Sequence, residues 1–434
     1  MEKEIRQYDT IIVGGGTAGS IAGIAAARGG NSVLIVEKSI NLGGASVNAL
    51  VNPMMESFVK HESIFYEIEE RLNKKGKTTR DGIMEYVYSS VEDKALVLEE
   101  MFLESGGELL YDVCLSNCTV DNKKITSITL IGVEGEIVLK AKQFVDATGD
   151  ALLSRMSGVE YSSGDDQGNN QMSSLRFEMG GINVDKYRDY CLSLNDEFSP
   201  LKQGFFFESA MVKNRNFKLE PKFREGIEKG LLKEEDLTYY QCFSVPNTKG
   251  VMTFNCPHLS NLKKNTNSFD RSKAISEGRQ MIQRLVKFLK ECMPGFENAY
   301  LIRQASELGV RESYRIKGLY TLNEDDYIAR RKFPDGVANG DWYIDVHSAT
   351  KGLVHMEKYT KGEYYEIPYR CLVNGKVSNL ITVGRCISTT FLTQASIRIQ
   401  PTVIDMGESA GKACALALKQ GIELNEFDGK GLTS

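Results

Sequence analysis

The chain has 434 residues, of which 26% are charged and 41% hydrophobic, a composition that excludes a disordered or fibrous protein. Its formal net charge of −5 disfavours binding to nucleic acid through a broad phosphate-neutralising surface. The first ten residues are charged and lack an apolar core, and no apolar run approaches the ~20 residues of a membrane span. We therefore expect a soluble, cytoplasmic protein without a membrane or nucleic-acid partner, and the sequence leaves the oligomeric state open.

The first 37 residues predict a β-turn-α-β unit. Residues 8–14 form a short β-rich run, 17–28 are small and compatible with a helix, and 33–37 are a continuous apolar run typical of a buried parallel strand. Nine of the 40 glycines lie in the first 44 residues, and glycine is used where a backbone must approach something closely. A ligand is therefore expected at this end of the chain.

Later patterns predict a second region inserted into the first. The predicted strands are 108–113, 116–120, 125–131, 136–140, 143–150 and 379–384. The predicted helices are 81–104, 270–292 and 401–418. Because buried strands flank a more polar and irregular middle, we predict an α/β protein. Residues 1–160 and 366–434 would form a discontinuous nucleotide domain, and 161–365 an inserted α+β substrate domain.

A dinucleotide fingerprint lies in the first unit. Gly14-x-Gly16-x-x-Gly19 follows a strand and opens a helix. Gly14 permits the tight turn, Gly16 lets a pyrophosphate reach the backbone, and Gly19 lets helix and strand pack closely. Glu37 ends the second strand, where a carboxylate accepts hydrogen bonds from the adenosine ribose. The alternative, a glycine-rich turn without a ligand, leaves Glu37 unexplained.

Several longer segments resemble known flavoproteins. DTIIVGGGTAGSIAGIAAARGGNSVLIVEK resembles the start of flavoproteins with the glutathione-reductase fold, and NLGGAS resembles the second glycine-rich loop of their fumarate-reductase-like branch. VDATGD resembles the strand and turn before their inserted domain. Residues 307–326, 367–388 and 396–418 resemble a narrower group, the FAD-dependent oxidoreductase family. The resemblance implies a Rossmann-like FAD-binding domain of the glutathione-reductase type.

The resemblance also implies which residues hold the FAD. They are Gly14, Gly16, Thr17, Ala18, Gly19, Glu37, Lys38, Gly43, Gly44, Ala45, Ser46, Ala147, Thr148, Gly149, Gly384, Arg385, Gln400, Pro401 and Thr402. Pro401 suits the first turn of a helix whose positive end would favour reduced flavin. Many related flavoproteins have an acid where this chain has Arg385, and an arginine there suits pyrophosphate instead. No histidine lies near NLGGAS, so we predict noncovalent FAD, and one GxGxxG predicts no separate NAD(P)H domain.

The cysteine and histidine spacings argue against a metal site. The nine cysteines include no CxxC pair, and the four histidines form no HxxxH or HExxH pattern. We expect reduced thiols and no bound metal.

Candidates for proton transfer and substrate binding lie in the middle of the chain. Asp345 and His347, at i and i+2 on a strand, would face the same way, so that His347 acts as a base and Asp345 orients it. The alternative is a packed histidine with a structural hydrogen bond. His355 is a second candidate base.

Two arginines are candidates for binding an anion near the flavin. Arg311 of the segment RESYR would share a helix face with Arg315, either as an anion clamp or proton donor or in a structural ion pair with Glu312. Arg398 precedes the last helix and would contact the flavin or a substrate anion, the alternative being a surface arginine.

The function expected from these features is that of an FAD-dependent oxidoreductase, a dehydrogenase or a reductase. It would transfer a hydride between a small organic, possibly anionic, substrate and the flavin. A flavin monooxygenase is one alternative, and a flavoprotein that acts on RNA or on a protein partner is another.

Overall fold

The computed structural model describes residues 6–75, 87–203, 206–245, 248–348, 352–355 and 359–433. Within these ranges the helices are α1 (Thr17–Arg28), α2 (Ser63–Lys74), α3 (Val91–Glu104), α4 (Leu152–Met156), α5 (Val184–Ser193), α6 (Glu220–Glu228), α7 (Ser268–Cys292), α8 (Glu324–Ile328), α9 (Phe391–Ile397) and α10 (Gln400–Gln420). Short 3-10 helices span Gly44–Ser46, Glu234–Leu237 and Tyr369–Cys371.

The first strands are β1 (Gln7–Val13), β2 (Val33–Val36), β3 (Pro53–Met54), β4 (Val87–Tyr88), β5 (Glu108–Leu110), β6 (Cys114–Asp121), β7 (Lys124–Gly132), β8 (Gly135–Asp146), β9 (Tyr161–Ser163), β10 (Ser173–Ser174) and β11 (Phe177–Gly180). They are followed by β12 (Leu201–Gln203), β13 (Phe206–Val212), β14 (Tyr239–Ser244), β15 (Met252–Phe254), β16 (His258–Leu259), β17 (Tyr300–Gln304), β18 (Tyr314–Ile316), β19 (Gly336–Gly340), β20 (Asp345–Ser348), β21 (Gly352–His355), β22 (Tyr365–Pro368) and β23 (Leu380–Thr382).

The larger sheet has seven strands, and its parallel part runs β5-β2-β1-β8-β23. The second half of β8 pairs with β1, while its first half pairs with β7 in an antiparallel extension that ends at β6. The carboxyl ends of parallel strands share one edge of a sheet, where ligands of α/β proteins bind. The turns after β1, β8 and β23 therefore lie near one another.

Helix α1 packs directly on the last long helix, α10. A Cβ at Gly407 would lie 2.6 Å from the Ala18 carbonyl oxygen, and one at Gly411 would overlap the Ala22 carbonyl oxygen. The two glycines of α10 therefore permit close contact between the two helices. This contact brings the amino terminus of α10 towards the same edge of the sheet as the amino terminus of α1.

A second sheet lies in the middle of the chain. Its six antiparallel strands run β12-β13-β14-β15-β11-β17. Buried side chains of this sheet pack with those of α5, α6 and α7 in a separate core, in which Phe177 and Phe254 stack with ring centroids 4.5 Å apart. Leu322, Ile344 and Val346, which lie within the predicted inserted domain, instead share the core of α1 and α10.

The mixed α/β fold with a parallel sheet is as predicted, and so are the first β-turn-α-β unit and the long helix α7. The predicted helix over 81–104 begins only at Val91, because Val87–Tyr88 form β4, and residues 81–86 lie outside the described ranges. The division of the chain into two domains stays a prediction. None of the helices in the described ranges is long and apolar enough to cross a membrane.

Candidate active site

The turn between β1 and α1 carries the three glycines of the fingerprint. Gly14 has a φ of +99°, which side chains rarely adopt, and a Cβ there would lie 2.7 Å from the Ala147 carbonyl oxygen. A Cβ at Gly19 would lie 2.8 Å from the Cβ of Ala147, so α1 packs closely on the end of β8. Gly16 differs, because the nearest atom to a Cβ there is 3.9 Å away. A Cβ at Gly16 would therefore make only ordinary van der Waals contacts, and the absence of one would leave room for a diphosphate to approach this backbone.

The second glycine-rich loop lies directly against this turn. Gly43, with a φ of +101°, forms an isolated parallel bridge with Gly16. A Cβ at Gly44 would lie 2.8 Å from the Cα of Gly16. The hydroxyls of Thr17 and Ser46 both donate to the Gly43 carbonyl, at 3.1 and 2.8 Å. The two loops therefore form one surface of backbone and small side chains.

The residues after β2 are held by protein partners. The Glu37 carboxylate accepts hydrogen bonds from the N–H groups of Gly15 at 2.6 Å and Ser39 at 2.8 Å, which fastens β2 to the glycine turn. A carboxylate has about four lone-pair sites, so Glu37 keeps capacity for a further donor such as a ribose hydroxyl. The Lys38 side chain is 60% exposed, and its ammonium lies 3.2 Å from the Glu307 carboxylate.

The turn after β8 closes a third side of this surface. The Ala147 N–H donates to the Val13 carbonyl at 2.8 Å, which continues the pairing of β8 with β1. The Thr148 hydroxyl and N–H donate to Asp146 at 2.8 and 3.1 Å. These bonds hold residues 147–149, which are among those expected to hold FAD, against Gly14.

The turn after β23 supplies a cation. The Arg385 guanidinium lies against Gly149, where a Cβ would be 2.5 Å from Nη1. Its Nη2 donates to Asp150 at 2.7 Å, while its buried Nε has no hydrogen-bond partner within the described ranges. Gly384 has a φ of +88°, and of the described atoms only the Ala18 side chain comes within 4 Å of a Cβ built there. Arg385 thus has a donor left for an anion beside the glycine turns.

The amino terminus of α10 is tied to the second loop through Gln400. The Gln400 amide nitrogen donates to the Val51 carbonyl at 3.0 Å, and the Val51 N–H donates to the Ala45 carbonyl at 3.3 Å. The Gln400 oxygen accepts from the Lys94 ammonium at 2.5 Å. Burial lowers the pKa of Lys94 to about 7. The Gln400 side chain is therefore engaged by the protein and holds the start of α10 against the second loop.

The next two residues of α10 have different surroundings. Pro401 occupies the first turn, as predicted, where its missing N–H costs no hydrogen bond. The Thr402 hydroxyl donates to the Asn339 carbonyl at 3.0 Å and so fastens α10 to β19.

We call residues 14–19, 43–46, 147–149 and 384–385 the glycine cradle. The first N–H groups of a helix have no intrahelical partner and attract anions. Helix α1 begins at Thr17 after Gly16, which provides no side-chain cap. An open backbone at Gly16, a helix amino terminus and the Arg385 guanidinium together fit the diphosphate of the predicted FAD.

The four predicted catalytic side chains meet in one group of polar contacts. His347 Nε2 lies 3.0 Å from Asp345 Oδ2, and Arg398 Nη2 donates to the Asp345 carbonyl at 3.1 Å. His258 links Arg311 to this pair, since its Nε2 lies 3.1 Å from Arg311 Nη2 and 3.0 Å from His347 Nδ1. We call these five residues the arginine–histidine cluster.

Burial sets the charges of this cluster. It lowers the pKa of His347 to about 4, although the neighbouring Asp345 carboxylate acts in the opposite direction. Burial and the charge of Arg311 lower the pKa of His258 well below its ordinary value. Both imidazoles are therefore neutral near pH 7, while the guanidinium groups of Arg311 and Arg398 stay charged. Two cations face one acidic side chain, which favours an anionic ligand.

The arginine–histidine cluster lies close to the glycine cradle. Gln394 Nε2 donates to the Arg311 carbonyl at 2.9 Å and lies 3.3 Å from the Arg385 carbonyl. The Glu307 N–H donates to the Asn48 carbonyl at 3.0 Å, so the segment that carries Arg311 packs on the second glycine-rich loop. A ligand in the cradle and one at the cluster would be neighbours.

The segment RESYR is not the helix that we predict, and its residues have separate roles. Arg311 lies in an irregular stretch and points to the cluster, whereas Arg315 lies on β18. Arg315 forms a buried ion pair with Glu312, which also accepts a hydrogen bond from Asn170 at 2.6 Å. The helix fails because the pairing of β18 with β9 determines the backbone here. Arg315 and Glu312 therefore form a structural ion pair, the alternative interpretation of this segment.

His258 is the member of the cluster that the sequence does not single out. It begins the two-residue strand β16, which carries no motif, and only its being one of four histidines draws attention to it. The Tyr239 ring packs on it, with centroids 4.3 Å apart. A cavity of about 240 Å³ borders His258 and is also lined by Met172, Tyr239, Thr238 and the loop 212–215.

Two other expectations concern histidine and metal. His355 pairs with Asp345 through the backbone of β21, but its side chain lies outside the described part of the structure. Among the described residues, no group of three or more His, Cys, Asp or Glu side chains is arranged to hold a metal ion.

Two curated proteins are similar in sequence to parts of this chain. An uncharacterized protein in the nifH2 5′ region of Methanosarcina barkeri is 28% identical over 174 residues, which are 36% of this chain and 91% of that protein. Digeranylgeranylglycerophospholipid reductase 2 of Methanopyrus kandleri is 26% identical over 214 residues, 46% of this chain and 51% of that protein. The chain thus spans about half of the length of the second relative.

The structural comparison concerns the fold alone. A geranylgeranyl bacteriochlorophyll reductase-like protein from Thermoplasma acidophilum has a similar structure, with a TM-score of 0.52 and 12% sequence identity. The similarity covers 98% of this chain and 81% of that one.

The family model described as FAD dependent oxidoreductase matches residues 9–434. The chain therefore belongs to the FAD-dependent oxidoreductase family, and FAD is its cofactor.

Proposed function

We propose that this enzyme transfers a hydride between a small organic anion and noncovalently bound FAD. The observation that carries the proposal is the arginine–histidine cluster beside the glycine cradle. Arg311, Asp345, His347 and Arg398 come from three distant stretches of sequence, yet polar contacts join them into one group, with His258 between Arg311 and His347. FAD, when bound, supplies the hydride acceptor or donor, and the protein binds, orients and moves protons.

The two arginines would bind the substrate anion. Arg311 Nη1 is held by the Met172 carbonyl and the Ser174 hydroxyl, both at 2.7 Å, so its guanidinium has a fixed orientation. The buried Nε of Arg398 has no hydrogen-bond partner in the described ranges and remains available to a ligand. A carboxylate between two oriented guanidinium groups would gain charge-assisted hydrogen bonds and would offset their mutual repulsion.

His347 would serve the proton transfer that accompanies hydride transfer. A neutral imidazole accepts a proton when a substrate C–OH or C–H bond is oxidised, and the imidazolium returns it when a double bond is reduced. Asp345 would orient the ring and stabilise its charged form, because its carboxylate lies 3.0 Å from Nε2.

The size of the cavity supports a small substrate. Its volume of about 240 Å³ is below the ~300–1,000 Å³ typical of pockets for drug-sized ligands. The Methanopyrus kandleri relative is named as a reductase of a digeranylgeranylglycerophospholipid. A cavity of this size would not enclose such a lipid. Its lining includes His258 but neither Arg311 nor Arg398, so the proposal of a compact carboxylate or similar anion rests on the two arginines.

We assign the cofactor domain to the glutathione-reductase type. The parallel order β5-β2-β1-β8-β23, with an antiparallel extension from β8, supports this assignment. The residues proposed to hold FAD are those of the glycine cradle together with Glu37, Lys38, Gln400, Pro401 and Thr402. Of these, Lys38 has the weakest support, since it pairs with Glu307 at the surface.

The proposal is tested by the anaerobic loss of flavin absorbance at about 450 nm. Purified enzyme is mixed with a panel of small hydroxy, saturated and unsaturated carboxylates, and each carboxylate is matched by its neutral amide or methyl ester. Reduced enzyme is tested for reoxidation by the same panel. We expect one or more carboxylates to react and their neutral partners to react much more slowly.

Other results would overturn parts of the proposal. Equal reaction of neutral and anionic partners would exclude the anion clamp, and flavin that stays with acid-precipitated protein would exclude noncovalent binding. If no compound in the panel changes the flavin while NADPH is consumed together with oxygen, the enzyme is a monooxygenase and the hydride-transfer proposal fails.

A further inference from the structure

The two histidines of the cluster differ in whether the ring nitrogen Nδ1 has a hydrogen-bond partner. His347 has hydrogen-bonding neighbours at both ring nitrogens, His258 Nε2 and Asp345 Oδ2, each 3.0 Å away. His258 has such neighbours only at Nε2, because its Nδ1 is buried without a hydrogen-bond partner in the described ranges. The ring is 1% exposed and borders the cavity of about 240 Å³. An imidazole nitrogen without a protein partner beside a cavity is suited to a ligand.

The donors and acceptors around the two imidazole rings determine which ring nitrogen of His347 and of His258 carries the proton. If Asp345 is a carboxylate, it only accepts, so His347 must carry its proton on Nε2. A neutral His347 then has an unprotonated Nδ1, which accepts from His258 Nε2. His258 is also neutral, so its proton is on Nε2 and its Nδ1 has a lone pair.

We propose that His258 is the residue that exchanges a proton with the substrate, which occupies the cavity beside it, and that His347 and Asp345 relay this proton. This inference deepens the proposed function and rests on it. His347, which lies behind His258 as seen from the cavity lining, becomes a positioning and relay residue instead of the first acceptor.

The relay conserves protons in the direction of substrate oxidation. His258 Nδ1 takes a proton from a substrate O–H or C–H bond, and the electron pair of that bond forms the new C=O or C=C bond. The neighbouring C–H bond breaks with its own electron pair, and that hydride goes to the acceptor that the proposed function assigns to FAD. The His258 Nε2 proton passes to His347 Nδ1, and the His347 Nε2 proton passes to Asp345. One proton has left the substrate, and one carboxylate has become a carboxylic acid. Substrate reduction runs the same transfers backwards.

Arg311 favours the end of this relay. Its Nη2 lies 3.1 Å from His258 Nε2. At the start, both atoms carry protons, and two donors cannot form a hydrogen bond. After the transfer, Nε2 has one lone pair, which accepts from His347 Nδ1 and is shared with Arg311. The repulsion between the two donors, Arg311 Nη2 and His258 Nε2, is therefore relieved once the proton has moved.

The first test determines the tautomers directly and requires no substrate. The holoenzyme is labelled with ¹⁵N-histidine, and long-range ¹H–¹⁵N correlations assign the protonated nitrogen of each ring. With four histidines in the chain, His258→Gln and His347→Gln suffice to assign both signals. We expect a protonated Nε2 and a bare Nδ1 on both rings at pH 7. A protonated Nδ1 on His258 would overturn the relay.

The second test uses the compound that bleaches the wild-type flavin. We expect His258→Ala to slow bleaching about 100-fold or more, as loss of an acid–base group does. Added imidazole, which can enter the cavity, should restore much of the rate in His258→Ala and not in His347→Ala. Rescue of His347→Ala alone, or an unchanged rate in His258→Ala, would show that the substrate does not meet His258.

A third test concerns the cavity. Thr238→Phe adds a ring to its lining and should raise KM for the same compound about tenfold or more. Thr119→Phe makes the same change on the exposed strand β6 and should leave KM unaltered. Equal KM values in the two variants would place the substrate elsewhere. If no compound bleaches the wild-type flavin, the proposed function fails, whereas a protonated His258 Nδ1 refutes only the relay.

Discussion

The glycine cradle and the arginine–histidine cluster are neighbours, but the first is formed mainly by backbone and the second by side chains. The cradle is a surface of backbone in which Gly16, Gly43 and Gly44 touch one another without side chains between them. The cluster consists of side chains whose positions depend on distant partners, such as Arg311 and His258. The contrast shows why one ligand site can be fixed by short motifs while the other requires the assembled fold.

The two regions also differ in the number and burial of their charged groups. The cradle presents N–H dipoles and one guanidinium, that of Arg385, which is already paired with Asp150 at 2.7 Å. The cluster buries two guanidinium groups around Asp345 and two neutral imidazoles. We therefore expect changes in the cradle to act on cofactor affinity and changes in the cluster to act on rate, proton uptake and substrate affinity.

The largest effect is expected for His347→Gln. Glutamine retains an amide for hydrogen bonding but cannot carry a proton between His258 and Asp345, so the rate of flavin bleaching should fall ~10²–10⁴-fold. The flavin content of the purified variant should match that of the wild type, because the cradle is untouched. Bleaching at more than a tenth of the wild-type rate would assign His347 a packing role only.

The next effect separates two glycines of the cradle. A Cβ at Gly16 meets no described atom nearer than 3.9 Å, and its φ of −63° is ordinary. Gly16→Ala should therefore leave the stability of the apoprotein nearly unchanged while weakening FAD binding about 100-fold or more, because the methyl group occupies the path of the diphosphate. Titration of apoprotein with FAD and thermal unfolding measure the two quantities.

Gly14→Ala is the matched control for Gly16→Ala. It places a Cβ 2.7 Å from the Ala147 carbonyl oxygen at a φ of +99°, so it should destabilise the apoprotein itself by ~1–3 kcal/mol. If both variants lose stability equally and Gly16→Ala retains full FAD affinity, the open space beside Gly16 does not receive the diphosphate.

The same contrast explains how much could be predicted from the sequence. The turn at Gly14 and the bounds of α1 follow from local rules, because glycine φ angles and helix starts depend on a few adjacent residues. Asp345 and His347 could be paired for the same reason, since residues i and i+2 on a strand share a face. The pairing of His258 with His347 joins residues 89 positions apart, and no local pattern encodes it.

RESYR shows how a local rule fails. The i, i+4 spacing of Arg311 and Arg315 suits a helix, but β18 pairs with β9 through Tyr314, Arg315 and Ile316. Tertiary pairing overrides helix propensity, which is a weak preference of less than about 1 kcal/mol per residue. The arginines consequently separate, and one of the two joins the cluster.

The pH dependence of stability tests the charge state of the cluster. Burial lowers the pKa of His347 from 6.5 to about 4, and Asp345, Arg311, Arg398 and His258 surround the ring. Between these pKa values the unfolded chain binds more protons than the folded chain, so stability is full above about pH 6.5 and is lost as pH falls towards 4.

His347→Gln isolates this contribution. The wild type should lose about 2 kcal/mol more than the variant between pH 7 and pH 5, measured by urea unfolding of the holoenzyme. Identical losses would indicate that the folded imidazole titrates normally and that the ring is not held neutral.

The smallest effect is expected at the one cation of the cradle. Arg385→Met preserves much of the side-chain volume over Gly149 but removes the charge, and it leaves Asp150 with Ser313 at 2.6 Å and a more distant Arg271. Because backbone N–H groups would make most of the proposed contacts to the diphosphate, FAD affinity should fall only about tenfold, the value of one modest charge-assisted bond. Lys142→Met, which removes an exposed lysine paired with Asp9, should not alter affinity. A 1,000-fold loss of FAD affinity in Arg385→Met, equivalent to about 4 kcal/mol, would contradict this expectation. FAD binding by the cradle would then depend on one side chain as strongly as the cluster depends on its side chains.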